Sequence, residues 1–451
     1  MSDTAPRIVH LGLGNFTRAH QAWYTSHANA AAGETWRIVG VSLRRPDVRN
    51  ALHPQGFAYT LEIEDEAGTD YERLEVIEDI LVAAEAPGKV VAAIADAATA
   101  IVSLTVTEKG YSLKSSDWQL DLDDPGIVAD LAGDPPRTTI GYLAAGLAAR
   151  RNAGHGPVTV MSCDNLPGNG EVLRAAMLEF TRIKTPELAG WIEAEVAFPC
   201  AMVDRIVPAT TDALRARVKA ATGWHDAWPV ATERFSQWVI EDRFSGPRPR
   251  WEDAGAEIVN DVQPYEVRKL RLLNGAHSTL AYAGLLAGMT YVHEAVADEG
   301  LGALGRAVMA EAAETLPDSV RGTADDYAAT LMRRFNNPGL AHSLIQIAMD
   351  GSQKLPVRIL PSLVERLAAG RASPALESAI AAWVAFVVRT AREGGTLNDP
   401  LNDELIAAGK AEAGRAAKSL LAMAGIFGNF ATDFPDAAKR IVAQSMASLN
   451  C

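Results

Sequence analysis

The first half of the chain alternates short apolar runs with segments of helical character. Four runs rich in Val, Ile and Leu predict buried strands at residues 7–13, 36–43, 99–106 and 157–165. Residues 87–98 have the spacing of a helix and lie between two of these runs. Strands that alternate with helices are typical of a parallel, doubly wound sheet of the Rossmann type.

An inserted hairpin interrupts this alternation. Residues 57–78 alternate apolar and polar positions on both sides of Gly68, which is the pattern of two antiparallel strands joined by a turn. Two later apolar runs, at residues 197–208 and 237–244, predict further strands.

The pattern changes after about Pro264. From there, apolar residues recur at the 3.6-residue spacing of helices, and residues 379–391 predict a buried helix. A chain of 451 residues is also too long for one hydrophobic core. We therefore predict an α/β fold with a Rossmann-type dinucleotide-binding domain over residues 1–257 and a mainly α-helical domain over residues 258–451.

Composition and charge exclude several classes of function. Hydrophobic residues make up 48% of the chain and charged residues 22%, an ordinary globular balance. The formal net charge of -14 repels polyphosphate, so we expect no nucleic-acid partner. The apolar runs are short for a bilayer and no signal peptide is evident, so we expect no membrane partner and a cytoplasmic location. Cys163, Cys200 and Cys451 include no CxxC pair, which fits a reducing compartment.

The segment RIVHLGLGNFTRAH combines a strand, a Gly-x-Gly turn and a helix start. Gly12 permits the tight turn, and Gly14 lets the backbone approach a pyrophosphate at the positive end of the helix. Thr17 stands where the usual fingerprint has a third glycine, and it is a candidate cap for a helix beginning near Arg18. Alone this is a weak signal, because junctions of a strand, a glycine turn and a helix that bind no ligand are common. The predicted cofactor-binding residues here are Gly12, Gly14, Asn15 and Phe16.

The end of the second predicted strand, SLRRPDVRN, bears on the choice of cofactor. An acidic residue at this point binds the ribose 2′-hydroxyl of NAD, whereas a basic residue accepts the 2′-phosphate of NADP. The sequence offers Arg44 and Arg45 and then Asp47. We predict NAD with Asp47 at the ribose and leave NADP open, since the two arginines are alternatively ordinary loop residues.

Polar side chains also follow two later predicted strands, in TVTEKGY and in MSCDNLPGNG. Ligands of doubly wound sheets bind beyond the carboxyl ends of the strands. We therefore expect Asp164, Asn165 and Asn169 to lie where a nicotinamide meets its substrate. The alternative is turn chemistry, because Asp, Asn, Pro and Gly all favour turns. The cofactor-binding candidates in TVTEKGY are Thr107, Glu108 and Lys109.

The segment VRKLRLLNGAHSTLAYAGLLAG carries three polar residues on a largely apolar helix. At about 100° per residue, Lys269, His277 and Asn274 lie at roughly 0°, 80° and 140° and share one side. A lysine among leucines is desolvated, which lowers its pKa and lets the neutral amine accept a proton from an alcohol. Taken singly, such residues are more often structural, since a lysine side chain extends to water and a core histidine is usually hydrogen-bonded.

These residue types fit the oxidation of a secondary alcohol. Lys269 is the predicted base, Asn274 and Asn165 the donors to the developing alkoxide, and His277 the group that orients the substrate. The sequence has neither HExxH nor a Cys/His cluster, so we expect no metal. The alternative of another class is a dinucleotide-binding regulatory protein without turnover, which would have no need of a base.

Together these segments resemble the polyol-specific long-chain dehydrogenases, in the same order over nearly the whole chain. The resemblance implies a Rossmann domain followed by a helical domain, with the active site between them, and a monomer. It also implies metal-independent, usually NAD-linked oxidation of a secondary alcohol. The matching segments are IVHLGLGNFTRAHQAWY, IVSLTVTEKGY, VMSCDNLPGNG, FPCAMVDRIVP, QWVIED, KLRLLNGAHSTLAY and IAMDGSQKLP.

The resemblance gives the same roles to the lysine, the two asparagines and the histidine, and adds Asp204 and Lys354 as substrate-binding residues. Members that act on mannitol carry an arginine at the position of Gln346, and IAMDGSQKLP is closer to the fructuronate reductase branch. We therefore predict interconversion of D-fructuronate and D-mannonate, with Lys354 and Arg358 as candidates for the carboxylate. The alternatives are a surface-loop role for Arg358 and an uncharged polyol substrate, as in mannitol 2-dehydrogenase or arabinitol dehydrogenase.

Overall fold

The computed structural model describes residues 5–65, 68–114, 118–133, 135–339 and 342–449. Cys451 and residues 66 and 67 of the predicted hairpin turn lie outside these ranges. The chain forms two compact units, Met1–Gln263 and Pro264–Cys451.

The strands belong to the first unit. A five-stranded sheet has the order β5-β2-β1-β6-β7, and every neighbouring pair in it is parallel. The predicted doubly wound sheet is confirmed, with its switch point between β1 and β6. The strands are β1 (Arg7–Leu11), β2 (Arg37–Ser42), β3 (Tyr59–Asp65), β4 (Gly68–Leu74), β5 (Ile77–Val82), β6 (Thr99–Leu104), β7 (Thr159–Ser162), β8 (Ala201–Asp204), β9 (Val230–Glu233), β10 (Gln237–Glu241) and β11 (Glu257–Val259).

The central strand β1 shows why the sheet forms. Ile8 belongs to one hydrophobic cluster, whereas Val9 and Leu11 belong to another. Successive side chains of a strand point to opposite faces, so β1 contributes to a core on each side of the sheet. Between Ile8 and Leu11 the one polar residue is His10, which is fully buried.

Two three-stranded sheets complete the strand pairing of the first unit, in the orders β4-β3-β9 and β11-β10-β8. The predicted hairpin is confirmed, since β3 and β4 pair antiparallel with Asp65 opposite Gly68. The apolar pattern runs through Val76 without a turn signal, so the prediction merged β5 with the hairpin and missed an edge strand of the parallel sheet. The pairing of β9 with β3 was also not predicted.

Helices of the first unit follow most strands of the parallel sheet. The predicted helix over 87–98 ends earlier, at Ala95, because Asp96 has an extended backbone. The helices are α1 (Asn15–Ala19), α2 (Gln21–Ala32), α3 (Asp47–Leu52), α4 (Pro87–Ala95), α5 (Pro125–Ala132), α6 (Thr139–Asn152), α7 (Asn169–Lys184), α8 (Pro186–Glu195) and α9 (Asp212–Thr222), with short 3-10 turns at His53–Gln55, Glu108–Tyr111 and Trp251–Ala254.

The second unit is mainly helical over its described residues, as predicted. Its boundary lies at 263/264 rather than 257/258, because β11 pairs with β10 and remains in the first unit. The helices are α10 (Gln263–Arg268), a π-helix at Lys269–Asn274, α11 (Gly275–Leu286), α12 (Val292–Ala297), α13 (Glu299–Ala313), α14 (Asp318–Arg321), α15 (Ala324–Phe335), α16 (Leu344–Ile347), α17 (Gly351–Arg358), α18 (Leu360–Ala368), α19 (Pro374–Arg392), α20 (Asn402–Gly409), α21 (Ala413–Leu421), α22 (Ala424–Phe427), α23 (Phe430–Asp433) and α24 (Pro435–Leu449).

Helix α19 is the central helix of this unit and packs against α11 and α24. Its 19 residues have the length and composition of a membrane span, although the shorter apolar run in the sequence argued against one. However, 78% of its most apolar window is buried inside the protein. A helix that is apolar all round is expected in the core of a large helical domain, and this one was predicted as a buried helix.

Candidate active site

The Gly-x-Gly turn connects β1 to α1 at the switch point of the sheet. Gly12 has a φ of +91°, and a Cβ atom on it would lie 2.1 Å from the main-chain oxygen of Thr105, which follows β6. Only glycine fits this position. Gly14 precedes α1, and a Cβ atom there would meet nothing nearer than 3.8 Å. Packing therefore does not require a glycine at position 14, and the turn leaves free space where a pyrophosphate would approach.

Thr17 does not cap a helix, contrary to the prediction. Helix α1 begins at Asn15 with Gly14 as its N-cap, so Thr17 lies inside the helix. Its hydroxyl is 2.6 Å from Nε2 of His10 and 2.7 Å from the hydroxyl of Thr105. In place of the third glycine of the usual fingerprint, this chain has a buried hydrogen bond from the helix to the sheet below it.

The side chains of Asn15 and Phe16 are used within the first unit. Asn15 donates to the main-chain oxygen of Pro208 and accepts from Arg18, at 3.0 and 2.6 Å. Phe16 stacks on His20 with the ring centroids 4.9 Å apart. What these two residues can offer a dinucleotide is therefore mainly the N–H groups at the start of α1.

The predicted ribose-binding residues follow β2. Arg44 and Arg45 lie between β2 and α3, and Asp47 is the first residue of α3. All three are exposed, and within the described ranges their side chains make no hydrogen bond or ion pair. Among the described residues, therefore, nothing competes with a ribose for Asp47 or with a 2′-phosphate for Arg44 and Arg45.

The segment after β6 contains the exposed candidates Thr107, Glu108 and Lys109. It is held by Asp164, whose carboxylate accepts from the backbone N–H groups of Val106 and Thr107, both at 2.9 Å. Burial raises the pKa of Asp164, while its hydrogen bonds oppose that shift. The side chain of Asp164 therefore supports the loop after β6, a role that the sequence did not indicate.

Asn165 and Asn169 differ in their surroundings, although both follow β7. Asn169 is fully buried, and its amide donates to the main-chain oxygens of Asp164 and Ala201 at 2.9 and 2.7 Å. It also accepts from the N–H of Ala201, so it joins two segments of the first unit. The structural alternative therefore holds for Asn169. Asn165 is exposed beyond the carboxyl end of β7, as expected for a residue that meets a ligand.

Asp204 is the last residue of β8 and lies opposite Gln237 of β10. It is buried, as is its neighbour Arg205, which donates to the main-chain oxygen of Glu233 at 3.1 Å. Burial lowers the pKa of Arg205 to about 10. Asp204 thus lies on a small three-stranded sheet, next in the chain to a buried cation.

In the second unit, Lys269 and Asn274 are the first and last residues of the π-helix, and both are 8% exposed. The predicted burial of the lysine is confirmed. The predicted geometry needs a correction, because an α-helix would separate the two residues by roughly 140°. Hydrogen bonds in a π-helix run from i to i+5, as from the N–H of Gly275 to the oxygen of Leu270. Asn274 is five residues after Lys269, so the wider turn brings it closer to the same face than an α-helix would.

His277 follows on α11 and is 7% exposed. Its ring stacks on Phe335 at 4.2 Å between centroids and meets His342 edge-on at 5.1 Å. Burial lowers its pKa well below the usual 6.5, and His342, Arg334 and Arg358 act in the same direction. Its Nε2 atom is buried and has no hydrogen-bond partner within the described part of the chain. The imidazole is therefore neutral at pH 7 with one nitrogen available to a ligand.

The two predicted carboxylate-binding residues both lie on α17. Lys354 is 3.3 Å from the main-chain oxygen of Ile347. Arg358 donates to the hydroxyl of Ser278, the residue after His277, at 3.2 Å. Arg358 lies in a helix and is partly buried, so its alternative assignment to a surface loop is wrong. Burial also lowers the pKa of its guanidinium. In the described part of the second unit, no carboxylate forms an ion pair with this guanidinium.

Sequence reasoning missed Arg334 and His342, which come within the electrostatic influence of His277. It also missed the π-helix, since no residue pattern distinguishes a π turn from an α turn. Within the described ranges, no group of three or more His, Cys, Asp or Glu residues is arranged to hold a metal ion.

Comparisons with known proteins agree with these features. Residues 6–253 match the mannitol dehydrogenase Rossmann domain, and residues 261–449 match the mannitol dehydrogenase C-terminal domain. A mannitol 2-dehydrogenase of Phaeosphaeria nodorum is 41% identical over 97% of this chain and 77% of its own length. The D-mannonate oxidoreductase of Escherichia coli is 40% identical over 98% of this chain and 92% of its own length.

A solved structure extends the likeness to three dimensions. The mannitol 2-dehydrogenase of Pseudomonas fluorescens, in a ternary complex with NAD and D-mannitol, is 37% identical and has a TM-score of 0.82. The alignment covers 99% of this chain and 94% of that one. Both domain families match in the expected order and account for nearly all residues. The chain therefore belongs to the mannitol dehydrogenase family.

Proposed function

We propose that this protein is an NAD-dependent oxidoreductase that interconverts D-fructuronate and D-mannonate. The observation that carries the choice of substrate is the pair formed by Arg358 and His277. A partly buried guanidinium with no ion-pair partner among the described residues is costly to keep, and a ligand carboxylate would compensate it. The guanidinium donates to the residue next to His277, whose own Nε2 has no partner in the described part of the chain. A ligand with one carboxylate and several hydroxyls suits this combination.

Lys269 is the proposed general acid and base. In alcohol oxidation its neutral amine takes the hydroxyl proton, and in ketone reduction its ammonium returns one to the oxygen. Its burial among leucines is the physical reason to expect a proton-accepting amine. Asn274 and Asn165 are the proposed donors to the alkoxide, whose negative charge is largest in the transition state. Neutral His277 orients the substrate through Nε2.

Binding of NAD is proposed for the first unit. The cofactor supplies a hydride acceptor when it is bound. Gly12 and Gly14 form a turn that leaves space for a pyrophosphate, and exposed Asp47 suits the ribose 2′-hydroxyl. Arg44 and Arg45 keep NADP open as a second dinucleotide. The two described cysteines, Cys163 and Cys200, are buried and form no disulfide with each other, which fits the reducing cytoplasm that we propose for this enzyme.

An uncharged polyol is the second candidate substrate. The similarity to the mannitol 2-dehydrogenase of Phaeosphaeria nodorum is as high as that to the D-mannonate oxidoreductase, at 41% and 40% identity. Gln346, an exposed residue of α16, is neutral where the mannitol-specific pattern expects an arginine. We therefore place mannitol or arabinitol second.

Initial rates with NADH and either fructuronate or fructose test the choice. We expect fructuronate to be preferred, and Arg358→Met to lower kcat/KM for fructuronate by about 10- to 100-fold, because a hydrogen bond to a charged group is lost. The rate with fructose should change little. Arg333→Met is the matched control, since Arg333 is exposed on α15 and, among the described residues, donates only to Thr330. A preference of the unmodified enzyme for fructose would contradict the proposal.

A further inference from the structure

The carboxylate of Asp164 and the loop after β6 form a connected unit that the catalytic scheme does not use. Oδ1 accepts from the N–H of Thr107 at 2.9 Å, and Oδ2 accepts from the N–H of Val106 at 2.9 Å. The phenol of Tyr111 also donates to Oδ2, at 2.7 Å, and lies 2.5 Å from the hydroxyl of Ser162. The carboxylate is thus surrounded by N–H and O–H donors that all stabilise its charged form.

Thr107 has a φ of +63°, in a region that L residues with a branched Cβ rarely adopt. Such a conformation persists only where the surroundings determine it, and it occurs preferentially at functional sites. The bonds from Asp164 to the two consecutive N–H groups at Val106 and Thr107 are the contacts that fix this backbone. Thr107 itself is exposed, together with Glu108 and Lys109.

We propose that Asp164 is a positioning residue that holds Thr107, Glu108 and Lys109 in the conformation that binds the cofactor. Asp164 directly precedes Asn165, the proposed donor to the alkoxide. The hydrogen bonds of Asp164 therefore also hold the backbone that leads into Asn165. The inference rests on the proposed binding of NAD, and it does not depend on which sugar is the substrate.

An aspartate is required here for a simple reason of hydrogen-bond chemistry. The carboxylate offers an acceptor on each oxygen, and each faces a backbone donor. In Asp164→Asn, one acceptor becomes an NH2 group that faces an N–H, so one bond is lost and two donors oppose each other. The loop is then free to relax from the strained conformation at Thr107. The rest of the first unit keeps its packing, because the substitution is nearly isosteric.

The test is the dissociation constant of NADH, measured by fluorescence titration without a ketose. We expect Asp164→Asn to raise it about tenfold, the equivalent of roughly one lost hydrogen bond. Thr107→Gly removes the cost of the positive φ together with the Thr107 side chain, so its own dissociation constant is the reference for the double variant. In the double variant, Thr107→Gly should restore most of the affinity. Ser162→Ala is the matched control, since Ser162 contacts Tyr111 and Asp164 but not the loop's N–H groups.

Two results would overturn the proposal. One is an unchanged NADH affinity in Asp164→Asn. The other is a double variant that binds as weakly as the single one, because a general loss of structure would not respond to a glycine at position 107. If Asp164→Asn does not fold, Tyr111→Phe takes its place, because it removes one donor to the same carboxylate. We expect Tyr111→Phe to weaken NADH binding about threefold and Thr107→Gly to reverse that loss. An unchanged NADH affinity in Tyr111→Phe would equally refute the claim. Absence of NADH binding by the unmodified protein would instead refute the proposed function.

Discussion

Two buried histidines, one in each unit, show how differently the same side chain can be used. His10 lies on the central strand β1, with Nδ1 2.8 Å from the hydroxyl of Ser103 and Nε2 2.9 Å from that of Thr105. Burial lowers its pKa to about 3. His277 is also buried with a lowered pKa, but its Nε2 has no partner among the described residues.

The difference separates structural from functional burial. Buried polar atoms are almost always hydrogen-bonded, because leaving one unpaired costs about 1–3 kcal/mol. Both ring nitrogens of His10 satisfy that rule, so its role is complete within the first unit. Nε2 of His277 does not satisfy it within the described part of the chain. The folded protein therefore retains the free-energy cost of a buried, unpaired nitrogen, which a bound ligand can remove. The comparison therefore predicts kinetic defects near His277 and stability defects at His10.

The largest effect should come from Lys269, which shares the polar face of the π-helix and α11 with His277. We expect Lys269→Ala to lower kcat by about 10²- to 10⁴-fold, the usual contribution of a general acid or base. NADH affinity should stay nearly unchanged, because the proposed cofactor site is built from the first unit. The measurements are steady-state turnover and a fluorescence titration with NADH.

Lys184→Ala provides the control for removal of a hydrogen-bonded lysine outside the proposed site. Lys184 donates to the main-chain oxygen of Asp130 in the first unit, and no role in catalysis is proposed for it. This variant should keep its turnover. Normal turnover with weakened NADH binding in Lys269→Ala would show that Lys269 binds the cofactor and is not the general acid and base.

The substitution His277→Phe tests the comparison directly. The new ring keeps the stack on Phe335, whereas the unpaired Nε2 disappears. We expect kcat/KM for the ketose to fall about 10- to 100-fold through loss of the bond that orients the substrate. The thermal midpoint should stay level or rise, because the variant no longer buries an unpaired polar atom. A large drop in the midpoint with normal kinetics would place His277 with the structural histidines.

The first unit was predictable to a large extent because its strands follow local rules. The apolar runs of β1, β2, β6 and β7 and the turn at Gly12 depend on residues close in sequence. The edge strand β5 was missed, because nothing between Leu74 and Ile77 punctuates the pattern. The use of Asp164 was also not predictable, since its two N–H partners are more than fifty residues away along the chain.

The polar face of the second unit was predicted by residue type but not by geometry. Lys269, Asn274 and His277 are all buried, and their catalytic roles stay predictions. The α-helical projection used for their spacing was wrong, because Lys269–Asn274 is a π-helix. A π turn arises from tertiary packing rather than from propensity, so the sequence does not report it. Arg334 was missed for a similar reason, as its position beside His277 depends on how α15 packs against α11.

His10→Phe is the matched counterpart of the substitution at position 277. Here the new ring leaves Ser103, Thr105 and Thr17 each without one partner. We expect a loss of about 1–3 kcal/mol in the free energy of unfolding and a lower thermal midpoint. Turnover of the folded enzyme should stay within about twofold, since no atom of His10 is assigned to a ligand. A loss of turnover with unchanged stability would contradict the division drawn between the two histidines.

The smallest effect is the dependence of stability on pH, which should be alike for both histidines. Below pH 6.5 the unfolded chain takes up a proton on His10, whereas the folded protein does not until about pH 3. The contribution of neutral His10 is thus complete above pH 6.5 and declines by about 1.4 kcal/mol per pH unit below it. Urea unfolding at pH 7.5, 6.5 and 5.5 should show the advantage over His10→Phe shrinking as the pH falls, more steeply from pH 6.5 to 5.5 than from 7.5 to 6.5. The free energy of unfolding of the unmodified protein, relative to that of His277→Phe, should also fall as the pH falls, because the pKa of His277 is lowered too. The pH dependence of stability therefore shows only that each imidazole ring is buried and neutral, and does not separate the two roles. If an NMR titration gave His277 its ordinary pKa of 6.5, the ring would not be buried in its neutral form.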